Sequence, residues 1–208
     1  MERHDRAEER IVNGCRWRRE RNILIGEERR AMRRVRYSVV MSLDGFIAGP
    51  KGEHDWIPMN PEVDFAATFG QFDTLLVGRR TFDTMVAAER TTMPGMKTVV
   101  FSRTLRQDDY PDVTIVAKDE KKTVAALKAK EGRDIWLFGG GSLFSSLAEA
   151  GLVDTVEVGI VPVLLGAGIA LSPELKKRVN LELTGHRVYK NGMVSLEYGV
   201  SGTTQQRS

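Results

Sequence analysis

A single cysteine, Cys15, leaves this 208-residue chain without an internal disulfide. Its three histidines, His4, His54 and His186, stand far apart, and with one cysteine they give no spacing that ligates a metal. No apolar run approaches the ~18 residues that a membrane helix needs, and the N-terminus has no apolar core of a secretory signal. No internal repeat or low-complexity segment is present. These absences leave a cytoplasmic, metal-free globular protein as the expectation. A hydrophobic content of 41% and the chain length suit one domain with or without a tail.

Lysine is missing from the first 36 residues, and this marks a boundary. Residues 1–36 carry 12 arginines and 7 acids, for +5, whereas residues 37–208 carry 19 basic and 21 acidic residues, for −2. The net charge of +3 therefore belongs to an arm. Arginine-rich arms bind phosphate backbones without sequence preference. Interspersed acids, a single aromatic (Trp17) and an acidic body all argue against nucleic acid as the partner. The blander reading is a peripheral extension over residues 1–34, followed by a domain over 35–201 and a tail over 202–208. We expect the working domain to begin near Met32 and the residues before it to be dispensable. A chain starting at Met32 that was unstable or inactive would overturn this.

Within the body, "VRYSVVMSL" (Val35–Leu43) is β-branched and apolar and predicts a buried strand. "NPEVDFAATFGQF" (Asn60–Phe72) predicts a helix, with Asn60 as N-cap, Pro61 at the first helical position and Phe65, Phe69 and Phe72 on one face. Short strands follow at Thr74–Gly78, Lys97–Ser102, Val113–Ala117 and Asp134–Gly139, with helices after the first, third and fourth. "DTVEVGIVPVLLG" predicts a strand running into a loop, and Leu181–Val200 a hairpin turning at Lys190–Gly192. Strands alternating with short helices mean a mostly parallel sheet covered on both faces, with the hairpin adding antiparallel strands at one edge.

Three strand ends carry the chemistry. In "LFGGGSLF" a strand runs into Gly139, Gly140 and Gly141, and a helix opens near Ser142. The first helical turn leaves N–H groups unpaired and partly positive, so phosphate binds well there. The run is neither GxGxxG nor a P-loop, and a plain tight turn explains it equally well. "LLVGRRTFD" repeats the layout with Gly78, Arg79, Arg80 and Thr81, and "VVFSRTL" ends a strand on Ser102 and Arg103. Arginines at a helix start stand against the dipole. Either they are merely solvated or they await an anionic ligand. Together the three ends suggest one wall of a groove at the carboxyl edge of the sheet.

Taken in order, "YSVVMSLDGFIAG", "LLVGRRTFD", "VVFSRTL", "IWLFGGGSLF" and "VGIVPVLLGAGIAL" resemble the dihydrofolate reductase-like superfamily. The nearest branch is the reductase domain of the riboflavin-biosynthesis deaminase/reductase and its stand-alone bacterial relatives. The resemblance spans Val35 to Val200. It implies an α/β three-layer fold with a mostly parallel central sheet, helices on both faces and a C-terminal antiparallel hairpin. It implies an NADPH-dependent reductase, and a homodimer. Gly139, Gly140, Gly141, Ser142 and Leu143 match the family's pyrophosphate loop. Arg79 and Thr81 match positions at the cofactor phosphates, with Gly78 and Arg80 beside them as further cofactor-binding candidates, and Ser102 and Arg103 match the adenosine 2′-phosphate side. Val40, Ile47 and Ala48 match the frame around the nicotinamide. The arginines favour NADPH over NADH on charge as well. The resemblance also implies a cis peptide at Gly139–Gly140.

Hydride transfer to C=N or C=O needs a proton. On a helix over Asn60–Phe72, Glu62 would extend the inward stripe whereas Asp64 would point away. Both acids would also suit a helix N-terminus without any catalytic role. Asp44, in "SLDG", is a third candidate, or simply holds its loop. Trp56 is expected to wall the substrate pocket, or else to anchor its surface loop, and Phe65 is expected at the same pocket, which would take a pterin, folate-like, pyrimidine or other small heterocycle. No H-x-E…P-C-x-x-C segment is present, so these residues hold no zinc deaminase half. A catalytically idle NADP(H)-binding module is the main rival. The segment from Val156 to Leu171 would serve as a dimer interface, although burial within the monomer is the simpler reading.

Overall fold

In β1 (Val35–Ser42) the alternation of side chains decides which face is core: Val35 and Tyr37 are fully buried, while Arg36 and Ser38 at the alternate positions face the other side and are partly buried. The computed structural model describes residues 32–173 and 175–204. After β1 come β2 (Phe46–Ala48), α1 (Phe65–Phe69), β3 (Phe72–Gly78), α2 (Arg79–Ala87) and β4 (Lys97–Phe101). Then follow β5 (Thr114–Val116), α3 (Glu120–Lys128), β6 (Asp134–Gly139) and α4 (Gly141–Glu149). The order ends with β7 (Thr155–Val161), β8 (Ile169–Ala170), β9 (Arg178–Val188) and β10 (Val194–Thr204).

Eight strands form one sheet in the order β5-β4-β3-β6-β1-β7-β10-β9, and β2 pairs with β8 in a small second sheet. All pairings from β5 through to β7 are parallel, and β10 and β9 join antiparallel at the edge. This is the dihydrofolate reductase-like arrangement that the sequence predicts. One core packs α3 and α4 on the sheet through Tyr37, Leu76, Val124, Leu137, Leu143 and Leu147. The other packs α2 on the opposite face through Leu75, Val77, Phe82, Met85 and Val100, with Phe69 of α1 beside Trp136. Tyr37 stacks on Phe144 at 4.0 Å between ring centres, and its hydroxyl donates to the Leu171 carbonyl at 3.1 Å. That one side chain fixes α4 and the chain before β9 to the middle of the sheet.

One expectation needs correction. The helix read over Asn60–Phe72 is only α1, and its N-cap is Asp64, whose Oδ1 accepts from Ala67 N at 2.9 Å. Asn60 instead closes a turn, with its Oδ1 accepting from Glu62 N at 3.0 Å. Phe72 belongs to β3, where it stacks on Trp136 at 5.4 Å. The first part of the segment from Val156 is core, the simpler of its two readings: Val156, Val158 and Val161 are at most 5% exposed inside the sheet, while Leu164 beyond it is 70% exposed. The hairpin turns through residues 189–193, as expected, with Gly192 at φ +83°. The expectation about residues 1–31 lies outside the described residues, as does that about 205–208.

Candidate active site

The carboxyl ends of β4, β3 and β6 lie side by side, the edge of an open α/β sheet at which neighbouring loops form a crevice. Its floor is the close meeting of two backbones: a Cβ added at Gly78 would stand 3.6 Å from Gly140 N and 3.9 Å from Gly139 O. The Gly139–Gly140 peptide is cis, as the resemblance implies. A Cβ at Gly139 would press on the Thr81 hydroxyl at 3.0 Å, and one at Gly140 would meet the same oxygen at 3.3 Å. At Gly141 a Cβ would run into the carbonyl oxygens of Ala170 and Leu171 at 2.7 and 3.1 Å. The glycine run therefore answers to two neighbours, Thr81 on one side and the backbone around β8 on the other. A lone tight turn would need neither.

Both helices that open on the crevice begin bare. The N-caps of α2 and α4 are Gly78 and Gly140, neither has a side-chain cap, and neither first turn contains an acid. The other two helices are different: Asp64 caps α1, and α3 begins with Glu120. Unpaired first-turn amides with no carboxylate nearby are a site for an anion.

The basic residues of the crevice divide into two kinds. Arg79 is already engaged: its Nε donates to both Asp83 oxygens at 2.8 and 2.9 Å, and a terminal nitrogen donates to Thr104 Oγ1 at 2.8 Å. The arginine thus straps α2 to the loop after β4. Ser102 is buried, and its hydroxyl accepts from the backbone N–H of Thr104 and Leu105 at 3.2 and 3.1 Å. It shapes the loop from within. Arg80 and Arg103 are exposed, and no side-chain partner is found for either among the described residues.

On the other side of the glycine loop, Val40 of β1 pairs with Gly159 of β7. A Cβ at Gly159 would touch Val40 Cγ2 at 3.6 Å and Met193 Cε at 2.7 Å, so the hairpin turn reaches this point. Ile47 and Ala48 lie in β2, where Ala48 pairs with Ile169. Asp44 ties the two segments together: it accepts from Ser42 Oγ at 2.6 Å and Gly166 N at 2.7 Å, and from Leu165 N. The Ser42 hydroxyl, then those amides, hold its carboxyl below the ordinary aspartate range.

Glu62 is not on a helix. It lies in the turn before α1 and accepts from the backbone N–H of Lys190 in the hairpin turn at 3.1 Å. Asp64 is occupied as the cap of α1. Phe65 is 40% exposed and meets Phe69 at 6.0 Å, and Phe69 stacks on Trp136 at 5.4 Å, so the α1 aromatics run from the surface to the sheet. Trp56 is half-buried and donates its indole N–H to Glu53 O at 3.2 Å within its own loop. Asp83, Thr104 and Lys190 were missed by sequence reasoning. Only Asp83 carried a signal, its i,i+4 spacing from Arg79.

An open, mostly parallel α/β sheet with two bare helix starts at its carboxyl edge defines the class. The comparisons with known proteins agree. Residues 33–195 match the model of the RibD C-terminal domain, and the chain belongs to that family. It is 36% identical over 183 residues to the YyaP protein of Bacillus subtilis (strain 168), covering 82% of this chain and 96% of that one. Among solved structures, a putative riboflavin biosynthesis protein from Shewanella sp. PV-4 superposes with a TM-score of 0.70 at 26% identity, covering 82% of this chain and all of that one. Dihydrofolate reductase from Enterococcus faecalis, complexed with NADP(H), superposes with a TM-score of 0.60 at 19% identity, covering 81% of this chain and 97% of the other, and so shares the fold.

Proposed function

We propose that the chain is an NADPH-dependent reductase of a small heterocycle, pterin-, folate- or pyrimidine-like. The observation that carries this reading is the pair of bare helix starts facing one crevice. The first-turn amides from Gly141 to Leu143 hold the pyrophosphate, and glycines let it approach. Arg80 and Arg103, exposed and without partners among the described residues, suit the additional 2′-phosphate that separates NADPH from NADH. Arg79, held by Asp83 and Thr104, keeps the crevice walls at a fixed spacing. When bound, the dinucleotide supplies a hydride from its nicotinamide, which the residues Val40, Ile47 and Ala48 frame.

For the proton we propose Glu62. Asp44 is held ionised by three donors, and Asp64 is committed to its helix. Glu62 uses only Oε1, toward Lys190 N, among the described residues. Its partner Lys190 lies in the hairpin turn beside Met193, and Met193 in turn lies against Gly159, the partner of Val40, which supports a role on the nicotinamide side. A second reading is kept by one observation: every candidate acid has a structural partner. In that case the chain binds NADPH and reduces nothing. Fluorescence titration with NADPH, followed by NADPH oxidation with dihydrofolate, dihydropterin and aminouracil substrates, separates the two. Binding with turnover supports the reductase, binding alone supports the idle module, and no binding removes both.

A further inference from the structure

Among the described residues, two buried side-chain atoms have no hydrogen-bond partner: Thr98 Oγ1 and Asn60 Nδ2. Thr98 lies near the amino end of β4, the end opposite the crevice. Asn60 lies elsewhere and is differently placed. It is 3% exposed although Met59 before it is 83% exposed, so the chain turns inward at this one residue. Its Oδ1 accepts from Glu62 N, and its backbone carbonyl accepts from Val63 N. These bonds fix the side-chain amide and leave its NH2 group, which can only donate, facing no acceptor. A buried donor without an acceptor costs free energy, and nothing in the turn offsets it.

The turn from Asn60 to Val63 is tied by Glu62 Oε1 to Lys190 N of the hairpin turn, and it leads into α1, whose Phe69 stacks on Trp136. Met193, at the far end of the hairpin turn, lies against Gly159, the partner of Val40. The turn that carries Asn60 thus stands where α1 and the hairpin meet, on the side of Val40, where the nicotinamide is proposed to meet its substrate. The loop that leads to it is bonded to itself. Gly49 N and Trp56 Nε1 both donate to Glu53 O, at 2.8 and 3.2 Å, and Ile57 N donates to His54 O at 3.2 Å. It can shift as a unit without breaking these bonds, which opens a way to the donor.

We infer that Asn60 Nδ2 receives a ring carbonyl oxygen of the substrate and so selects an oxo heterocycle, in its lactam form, over the amino analogue. This rests on the reductase reading of the site. An exocyclic oxygen stands about 1.2 Å out from its ring carbon, so it enters a recess that stops a ring nitrogen. An amino group in the same place would set N–H against N–H and leave both unpaired. A site built to pair one polar group rejects the wrong analogue far more strongly than an apolar pocket does. Pterins and pyrimidines both occur with such an oxygen.

Two matched pairs of probes test this: pterin against 2,4-diaminopteridine, and uracil against cytosine. In each pair an oxo group at carbon 4 gives way to an amino group. The full chain is titrated with and without NADP+, by fluorescence for the pteridines and calorimetry for the pyrimidines. The wild type should bind the oxo member of at least one pair at least about tenfold more tightly. Asn60→Asp keeps the acceptor for Glu62 N and removes the donors, so it should abolish or reverse that preference with NADPH affinity unchanged. Thr98→Val, which removes the other unpaired atom, should leave the preference as it is. Should Asn60→Asp fail to fold by circular dichroism, Asn60→Ser, which also keeps an acceptor, decides. Binding of neither pair, or equal affinity for both members, would overturn the inference. So would an oxo preference that the Asn60 variants leave intact, which would assign Nδ2 to a buried structural water. Failure of the wild type to bind NADPH would instead remove the reductase reading, and the titrations without cofactor would still read Asn60.

Discussion

Alanine placed in turn at Gly78, Gly139 and Gly141 should produce three graded outcomes, because the space beyond each is different. At Gly78 the new Cβ would lie 3.6 Å from its nearest neighbour, ordinary contact, at φ −80° and ψ 165°, which any residue adopts. Loss of unfolded-chain freedom favours alanine there by about 0.4–1 kcal/mol. Alanine is a poorer N-cap than glycine by a comparable amount. The two offset, so stability should stay within about 0.5 kcal/mol. At Gly139 the neighbour is the Thr81 side chain at 3.0 Å, which can turn aside, so a small loss is expected. At Gly141 the obstacles are the backbone carbonyls of Ala170 and Leu171, which cannot yield without shifting β8 or α4. Overpacking of that kind costs about 1–3 kcal/mol, or roughly 3–10 °C in Tm for a chain of this size. The same shift withdraws the first-turn amides, so NADPH affinity should fall with stability. Differential scanning calorimetry and NADPH titration of the three variants give the ranking. Gly141→Ala as stable as wild type, or Gly78→Ala the worst of the three, would refute the reasoning.

Removing Arg80 or Arg103 should weaken NADPH binding about 10- to 100-fold, the worth of a charge-assisted hydrogen bond, while NADH binding stays constant in the same titration. Tyr37→Ala, at a side chain with no exposure, should cost about 3–5 kcal/mol. Tyr37→Phe, which loses only the bond to Leu171 O, should cost about 0.5–1.5 kcal/mol by urea denaturation. Asp44 has a depressed folded carboxyl, so its ion stabilises the fold above the ordinary aspartate range near pH ~4, and that contribution disappears as pH falls through the lower folded value. Asp44→Asn should therefore be less stable than wild type at neutral pH, with the gap closing on acidification; a gap that does not change with pH contradicts this. Glu62→Gln should lower kcat with NADPH binding intact, and unchanged turnover would remove Glu62 as the proton source.

Local signals were legible where one short segment decided the outcome. Glycine after an apolar run located the ends of β3 and β6, and the hairpin turn was readable from Lys190–Gly192. The start of α1 was not, because Asn60 and Pro61 carry helix-start chemistry that a turn also uses, and only Asp64 reaches an amide of the helix. Placing Glu62 by helical angle failed for the same reason; its partner Lys190 is distant in sequence. Arg79 read as an open phosphate ligand, yet Thr104, on another strand's loop, takes one of its nitrogens. The segment from Val156 read more simply as core than as interface, and the place of β7 between β1 and β10 decides that it lies inside.

The central claim is tested most directly by equilibrium titration of the wild-type chain with NADPH and with NADH. Saturable binding of NADPH, tighter than that of NADH and weakened by Gly141→Ala, is the predicted result. No binding of NADPH, or equal affinity for the two, would contradict it.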